Sequence, residues 1–520
     1  MPSFTKGANQ IVAEDAGAQS IASWATAISK GPANESGQAV SFLVSNDNSG
    51  LFAAQPAVDP SGRLAFTSAP NASGSATVTL KIMDDGGTAN SGVDTSAPQT
   101  FTINVTAVND APSATNNKAT QSLQYSDAIQ NVTISGSDID SHPLTASASF
   151  SKDGGAAQAG LPTGMTLSSP ANCTASTVQL IGTGTSCSWT VSGRAMVAPG
   201  TYAVTVKVED SDGAFNNTTF TVTVTQEDAR AYYTGGLFVN TSSATSSNAT
   251  TTLSATVRDI TAETGDAATD SLAGDIRNAT VTFVNRDASN APIAGCSNLP
   301  VQLVDAADTK TGTVNCIWNV SINGDSSDFT IGIVVNNYYT RNSSTDNTVV
   351  TVSKPLTTNF ITGGGYLVMS DPSSSAGLYT GASGLKTNFG FNVKYSPGGK
   401  NLQGRINVIV RGKDGKVYQI KGNQMDTLAV TTVSNNPLVT AATYSGKANI
   451  TNITDPLNTI SLGGGHSFQM KLTDKGEPGK TDTIGITVYG NNNGALLFSS
   501  NWNGTNTIEQ LLGGGNLQVR

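Results

Sequence analysis

Along most of this chain apolar and polar residues alternate one for one, and that period of two constrains the fold more than any other property. Ala76, Val78, Leu80 and Ile82 alternate with Thr77, Thr79 and Lys81, and Phe101, Ile103 and Val105 with Thr102 and Asn104. The pattern returns in Tyr202, Val204, Val206 and Val208, and again in Phe220, Val222 and Val224. Successive side chains of a strand point to opposite faces, so each run offers one face to a core and the other to water. Clusters of Gly, Asn, Asp and Pro separate the runs at roughly 8 to 15 residues, the punctuation of antiparallel sandwiches rather than of strand–helix–strand units. No helical period extends beyond a turn or two. The fold expected is all-β, with tandem β-sandwich domains in an extended array.

A length of 520 residues divides into three to five such domains. A repeat places two of them: Val78-Thr79-Leu80-Lys81-Ile82-Met83-Asp84-Asp85-Gly86 lies over Val204-Thr205-Val206-Lys207-Val208-Glu209-Asp210-Ser211-Asp212, and Thr100-Phe101 over Thr219-Phe220. The offsets are 126 and 119 residues, so the loop after the acidic corner is seven residues longer in the first copy. Domains are expected at 1–111, 112–229, 230–355 and 356–520.

Charge divides at the last of these borders. Residues 1–355 hold 15 basic and 29 acidic groups, and 356–520 hold 13 and 8. The acidic stretch, poor in lysine, argues against nucleic acid, whose phosphates demand clustered Lys or Arg, and suits metal cations or plain solubility. No run approaches the ~18 to 20 apolar residues of a membrane-spanning helix, so no membrane insertion is expected within this chain. The residues after Met1 lack the apolar core of a signal peptide, and the targeting segment is expected outside this sequence. Cys173 and Cys187, and Cys296 and Cys316, have neither the C-x-x-C spacing nor the nearby histidines of a zinc site. Three pairings are possible, and free buried thiols are the alternative. Local pairing within each domain would contribute about 3 kcal/mol apiece and would need an oxidising compartment, hence an extracellular or cell-surface location. Trp318, two residues after Cys316, shares its face and is expected to pack against that disulfide.

In the first block, Phe52 to Asp59, then Gly62-Arg63-Leu64-Ala65-Phe66, the strand ending in Asp84-Asp85-Gly86 and the closing Val108-Asn109-Asp110-Ala111-Pro112 follow one another. In that order they resemble the cadherin-like repeats of large bacterial surface proteins. The resemblance implies calcium where one domain meets the next, held by Glu14, Asp84, Asp85, Asn109, Asp110, Asp138 and Asp140. Calcium takes six to eight hard oxygen ligands, and carboxylates so crowded repel one another without it. Ala69-Pro70-Asn71-Ala72 stands where the family has Leu-Asp-Arg-Glu, and no aspartate precedes Val108, so the ligand set is smaller. Asp-Asp-Gly and Asn-Asp-Ala-Pro also serve as ordinary turns.

The second block, through Gly160-Leu161-Pro162-Thr163-Gly164 and Pro199-Gly200-Thr201-Tyr202, is similar to immunoglobulin-like repeats of bacterial exported proteins, which implies a β-sandwich and no activity. Asp210 and Asp212, with Glu209 and Glu227, form a second acidic corner or a hairpin turn. The third block has only an immunoglobulin-like texture. Ile361-Thr362-Gly363-Gly364-Gly365-Tyr366, Thr387-Asn388-Phe389-Gly390-Phe391, Asp474-Lys475-Gly476-Glu477-Pro478-Gly479 and the terminal Gly513 to Arg520 resemble the small β-domain of post-COAP-1 type that closes many bacterial exported proteins. Its Gly-Gly-Gly runs lack a following helix and read as bulges or tight strand entries. Asp474, Glu477 and Asp482 alternate with lysines and are a weak cation site.

His142 and His466 fall in different domains, too sparse for a catalytic triad or a histidine-built metal set. The acidic clusters sit on Gly-rich corners rather than amid sugar-binding aromatics. The function expected is therefore non-enzymatic: an extracellular adhesion or stalk segment of a bacterial surface protein, stiffened by calcium between domains. Other surface proteins, glycans or a second copy are the expected partners. The alternatives are the polymer-binding accessory end of an exported hydrolase and a self-associating surface-layer subunit.

Overall fold

The computed structural model describes residues 1–520 except 141, 175–183, 356–358, 370–373, 397–400, 456 and 492–493, and the side chains of 90, 172, 174 and 423. The border expected at 355/356 abuts residues outside that description. Among the described residues every regular element is a strand or a three-residue 3₁₀ turn, and no helix is long and apolar enough to cross a membrane.

The sheets fall into four groups along the chain. In the first, Gln10–Ala13, Gln99–Thr106, Gly74–Asp84 and Val40–Asn46 form one sheet, Ala18–Ile21, Leu64–Ser68 and Phe52–Val58 a second, and Ser3–Thr5 with Thr26–Ser29 a small third. The alternation sets this layering. Ala76, Val78, Leu80 and Ile82 are fully buried between the sheets with Leu64, Phe66 and Ile103, and each large apolar side chain contributes roughly 2 kcal/mol. Trp24 closes one end, its indole N–H donating to Ala8 O at 2.9 Å beside Phe101.

The second group repeats the plan. Val132–Asp138 pairs with Thr185–Gly193, and Thr120–Gln124 runs parallel to Phe215–Thr225 as Gln10–Ala13 runs parallel to Gln99–Thr106. The third stacks a sheet centred on Asn248–Asp259 and Asp308–Ser321 against one centred on Ala279–Asn285 and Ser326–Asn337. Its strand Glu227–Tyr233 pairs there from its first residue, Glu227 opposite Tyr339, so the border expected at 229/230 falls inside a strand. Cys173 is bonded to Cys187 and Cys296 to Cys316. Trp318 is buried, edge-on to Phe329 at 5.2 Å.

The fourth group differs in construction. Its eleven strands form one sheet that begins at Leu496–Ser499 and ends with Phe360–Val368 beside Gly514–Val519. A hairpin of Val417–Asn435 and Leu438–Asn452 spans it, with register shifts near Gly422, Met425 and Thr432 that let so long a ladder bend around Tyr444, Phe468 and Phe391. Gly365 is where two strands approach closely: a Cβ there would lie 2.2 Å from Gly514 O. The carboxylates of Asp474, Glu477 and Asp482 are engaged in hydrogen bonds. Asp482 accepts the N–H groups of Lys475 and Leu517 at 2.9 and 3.0 Å, Asp474 accepts that of Val519 at 3.0 Å, and Glu477 takes Asn516 and Gln518. They pin the last strand.

The groups meet in unlike ways. Between the second and third, Tyr125 is buried edge-on to Tyr338 and Tyr339, with ring centroids 4.9 and 5.7 Å away. Asn278 Nδ2 donates to its hydroxyl at 2.9 Å, and Arg194 reaches across to Ala273 O at 2.7 Å. The third and fourth lie against each other through Thr313 to Gly494 O at 3.0 Å, Thr234 to Tyr489 at 3.3 Å, and Asn240 to Leu428 O. The first joint is polar and acidic.

Candidate metal centre

At the first joint the parallel pairing of Gln10–Ala13 with Gln99–Thr106 sets Ala13 opposite Thr106, so Glu14 arrives beside the linker. Its N–H donates to Thr106 O at 3.1 Å and its Oε1 accepts the N–H of Val108 at 2.8 Å. Glu14 is 3% exposed. From the other side, Asp138 ends Val132–Asp138 and is 1% exposed, its Oδ1 accepting the N–H of His142 at 3.3 Å. Asp140 Oδ2 accepts the N–H of Asp110 at 2.7 Å, and Asn109 Nδ2 donates to Asp210 Oδ2 at 3.0 Å. Glu14, the linker, and two corners of the second group thus meet in one place.

Three oxygens there have no hydrogen-bond partner among the described residues: Asn109 Oδ1, Asp110 Oδ2 and Asp138 Oδ2. One ligand atom each from Asp138, Asp140 and His142 lies within 4.8 Å of the others. Buried oxygens normally find donors, and a hard cation is one partner that can satisfy such orphans. Electrostatics agree. Burial pushes the Asp110 carboxyl above its ordinary range, with Asp15, Asp140 and Asp138 adding to the rise. Burial does the same at Glu14, opposed by the Val108 N–H and reinforced by Asp140, and at Asp138, opposed by the His142 and Asp140 N–H groups. The donor set is mainly oxygen, with carboxylate and amide ligands that suit Ca²⁺. His142 adds one nitrogen and reaches Asp212 at 3.6 Å.

Two of the residues expected in this set are elsewhere. Gly74–Asp84 pairs Gly74 with Val105, next to the linker, and Asp84 with Val40 at its other end. Eleven residues of strand therefore place Asp84 and Asp85 on the order of 30 Å from the joint. They act as turn acceptors instead, Asp84 Oδ1 for the N–H of Gly86 at 3.0 Å and Asp85 Oδ1 for that of Ala39 at 2.9 Å. Their place at the joint is taken by Asp210, the same corner of the next repeat. Burial opposes its ionisation, but Asn109 and the N–H groups of Ala214, Asp212 and Gly213 hold its carboxyl below the ordinary range. The repeat itself carried the signal: if Asp84 matches Asp210, both stand at the same end of their own domain, and only the second faces the linker.

No family model matches this chain, and no curated protein matches it. Solved structures resemble it. Protocadherin Gamma B2 extracellular cadherin domains 3–6 are 10% identical over 89% of this chain and 98% of that one, with a TM-score of 0.27. Human CDH23 EC21-23 is 11% identical over 68% and 99%, with a TM-score of 0.25. The Yersinia pseudotuberculosis adhesin InvE is 19% identical over 53% and 66%, with a TM-score of 0.23. Scores this low carry no inference, and the tandem-sandwich architecture rests on the strand pairing itself.

Proposed function

We propose that this chain is a non-enzymatic adhesion or spacer segment of a bacterial surface protein, acting outside the cell, with domains near 1–111, 112–229, 230–355 and 356–520, the last of post-COAP-1 type. Its reach is set by calcium at the first joint, held by Glu14, Asn109, Asp110, Asp138 and Asp140. The observation that carries this reading is that buried, unpartnered oxygens stand on the linker, at Asn109 and Asp110, and on the group that follows it, at Asp138, where one ligand atom each of Asp138, Asp140 and His142 lies within 4.8 Å of the others. Without metal, the carboxylates on the two sides repel and the joint swings; a bound Ca²⁺ bridges both sides and holds them in line. The two disulfides suit an oxidising exterior. Glycans, other surface proteins or a second copy are the partners such a spacer would present itself to. Small-angle scattering with calcium and with chelator tests the proposal: the maximum dimension is expected to be sharply defined with calcium and smeared without it. An identical distance distribution in both conditions overturns it.

A further inference from the structure

We infer that the second joint holds a divalent cation of its own, bound by Asp127, Glu227 and Asp270. These residues come from three separate segments: the turn after Thr120–Gln124, the start of Glu227–Tyr233, and the loop between Asn248–Asp259 and Ala279–Asn285. One oxygen from each lies within 4.8 Å of the others. None belongs to the Asn-Asp linker or the Asp-x-Asp pattern of the first joint, and two of the three carry no sequence signal at all.

The cluster is more than an acidic patch because of Glu227. Its side chain is 1% exposed; Oε1 accepts the N–H of Asp228 at 3.0 Å, while Oε2 has no partner among the described residues. The neighbouring carboxylates each accept one backbone N–H: Asp127 Oδ2 that of Gln124 at 3.1 Å and Asp270 Oδ1 that of Leu272 at 2.8 Å. Desolvated like charges at this separation are costly unless neutralised. Arg194 supplies one positive charge to the field at Asp270 but directs its guanidinium hydrogen bonds to Ser126 O and Ala273 O, at 2.6 and 2.7 Å. With Asp259 also buried nearby, where it accepts the Gly274 N–H and the Tyr339 hydroxyl, the negative charge exceeds what Arg194 alone offsets, and a divalent ion would reduce it. Oxygen-only donors on a joint already fixed by tyrosine packing suit Ca²⁺, completed by backbone carbonyls and water.

The inference is independent of the first joint, and the test separates them. Calcium alone is titrated calorimetrically into the full chain carrying Asp138→Asn and Asp140→Asn, which disables the first joint. That chain is expected to retain one calcium site. Adding Glu227→Gln, or separately Asp270→Asn, is expected to weaken that site at least tenfold, with circular dichroism confirming the native strand content; the exposed-side Asp270→Asn serves if Glu227→Gln does not fold. A first-joint variant that binds no calcium overturns the second site while leaving the proposed function standing. Unchanged binding after Glu227→Gln or Asp270→Asn overturns it as well.

Discussion

The first and second joints occupy equivalent places in the fold, and the residue that follows the short strand differs in kind between them. In both, a short strand parallel to the last strand of the domain ends at the border, Gln10–Ala13 in one and Thr120–Gln124 in the other. At the first border the next residue is Glu14, and it meets the N–H of Val108 and the charges of Asp140, Asp15 and Asp110. At the second it is Tyr125, and it meets Tyr338, Tyr339 and Asn278. A joint packed with rings is rigid by its own contacts. Carboxylates crowd both joints, but only the second has rings beside them, so under the proposal calcium alone would order the first joint whereas packing already holds the second.

The largest effect should come from breaking the ring contacts of the second joint. Tyr125→Ala removes two edge-on ring contacts and a buried hydroxyl partner, and should cost about 3 to 5 kcal/mol, read as a lower denaturant midpoint for the second and third domains. Calcium should be next. At a hundredfold excess over its Kd one site adds about 2.7 kcal/mol, so chelation should lower the melting temperature, and Asp138→Asn should remove the part of that drop due to the first joint. A melting curve indifferent to chelator in the parent chain would erase the distinction between the joints.

The pH response sharpens the comparison further. Burial, with Asp270, Asp259 and Asp127 nearby, pushes Glu227 up to about 8 from an ordinary 4.5. Between those values the folded chain keeps a proton that the unfolded chain has released, so in chelator stability should fall as pH rises from about 4.5 through about 8. The loss should appear as a melting temperature a few degrees lower at pH 8 than at pH 5.5, and Glu227→Gln should flatten it. The smallest effect is expected at the first joint, where Asn109→Ala deletes the bond to Asp210 at 3.0 Å. It should cost about 1 kcal/mol and broaden the scattering profile even with calcium present.

The alternation of Val78, Leu80 and Ile82 made the sheets legible, because a strand with one apolar face has only one side to bury. Local cysteine spacing pointed to both disulfides. That Glu14, Asn109, Asp110, Asp138 and Asp140 lie at one joint was legible because a motif lists them, whereas the place of Asp84 at the far end was not, because a motif gives order and not register; only the pairing of Gly74 with Val105 reveals which end of the strand faces the linker. Asp127 and Asp270 were invisible, since they are 143 residues apart and joined solely by the docking of one domain on the next. The single sheet of the fourth domain was equally hidden, as strands that curl and strands that stack have the same period.

The order in which strands end has a mechanical side. In the first and second domains the early strand Gln10–Ala13 or Thr120–Gln124 runs parallel to the last, so tension along the chain loads all the hydrogen bonds of that ladder together, in shear. In the fourth, Phe360–Val368 and Gly514–Val519 are antiparallel neighbours whose outer ends meet at Phe360 and Arg520, so the same pull unzips them one bond at a time. If the chain bears load as proposed, its fourth domain is expected to yield first and its first two domains to stay folded.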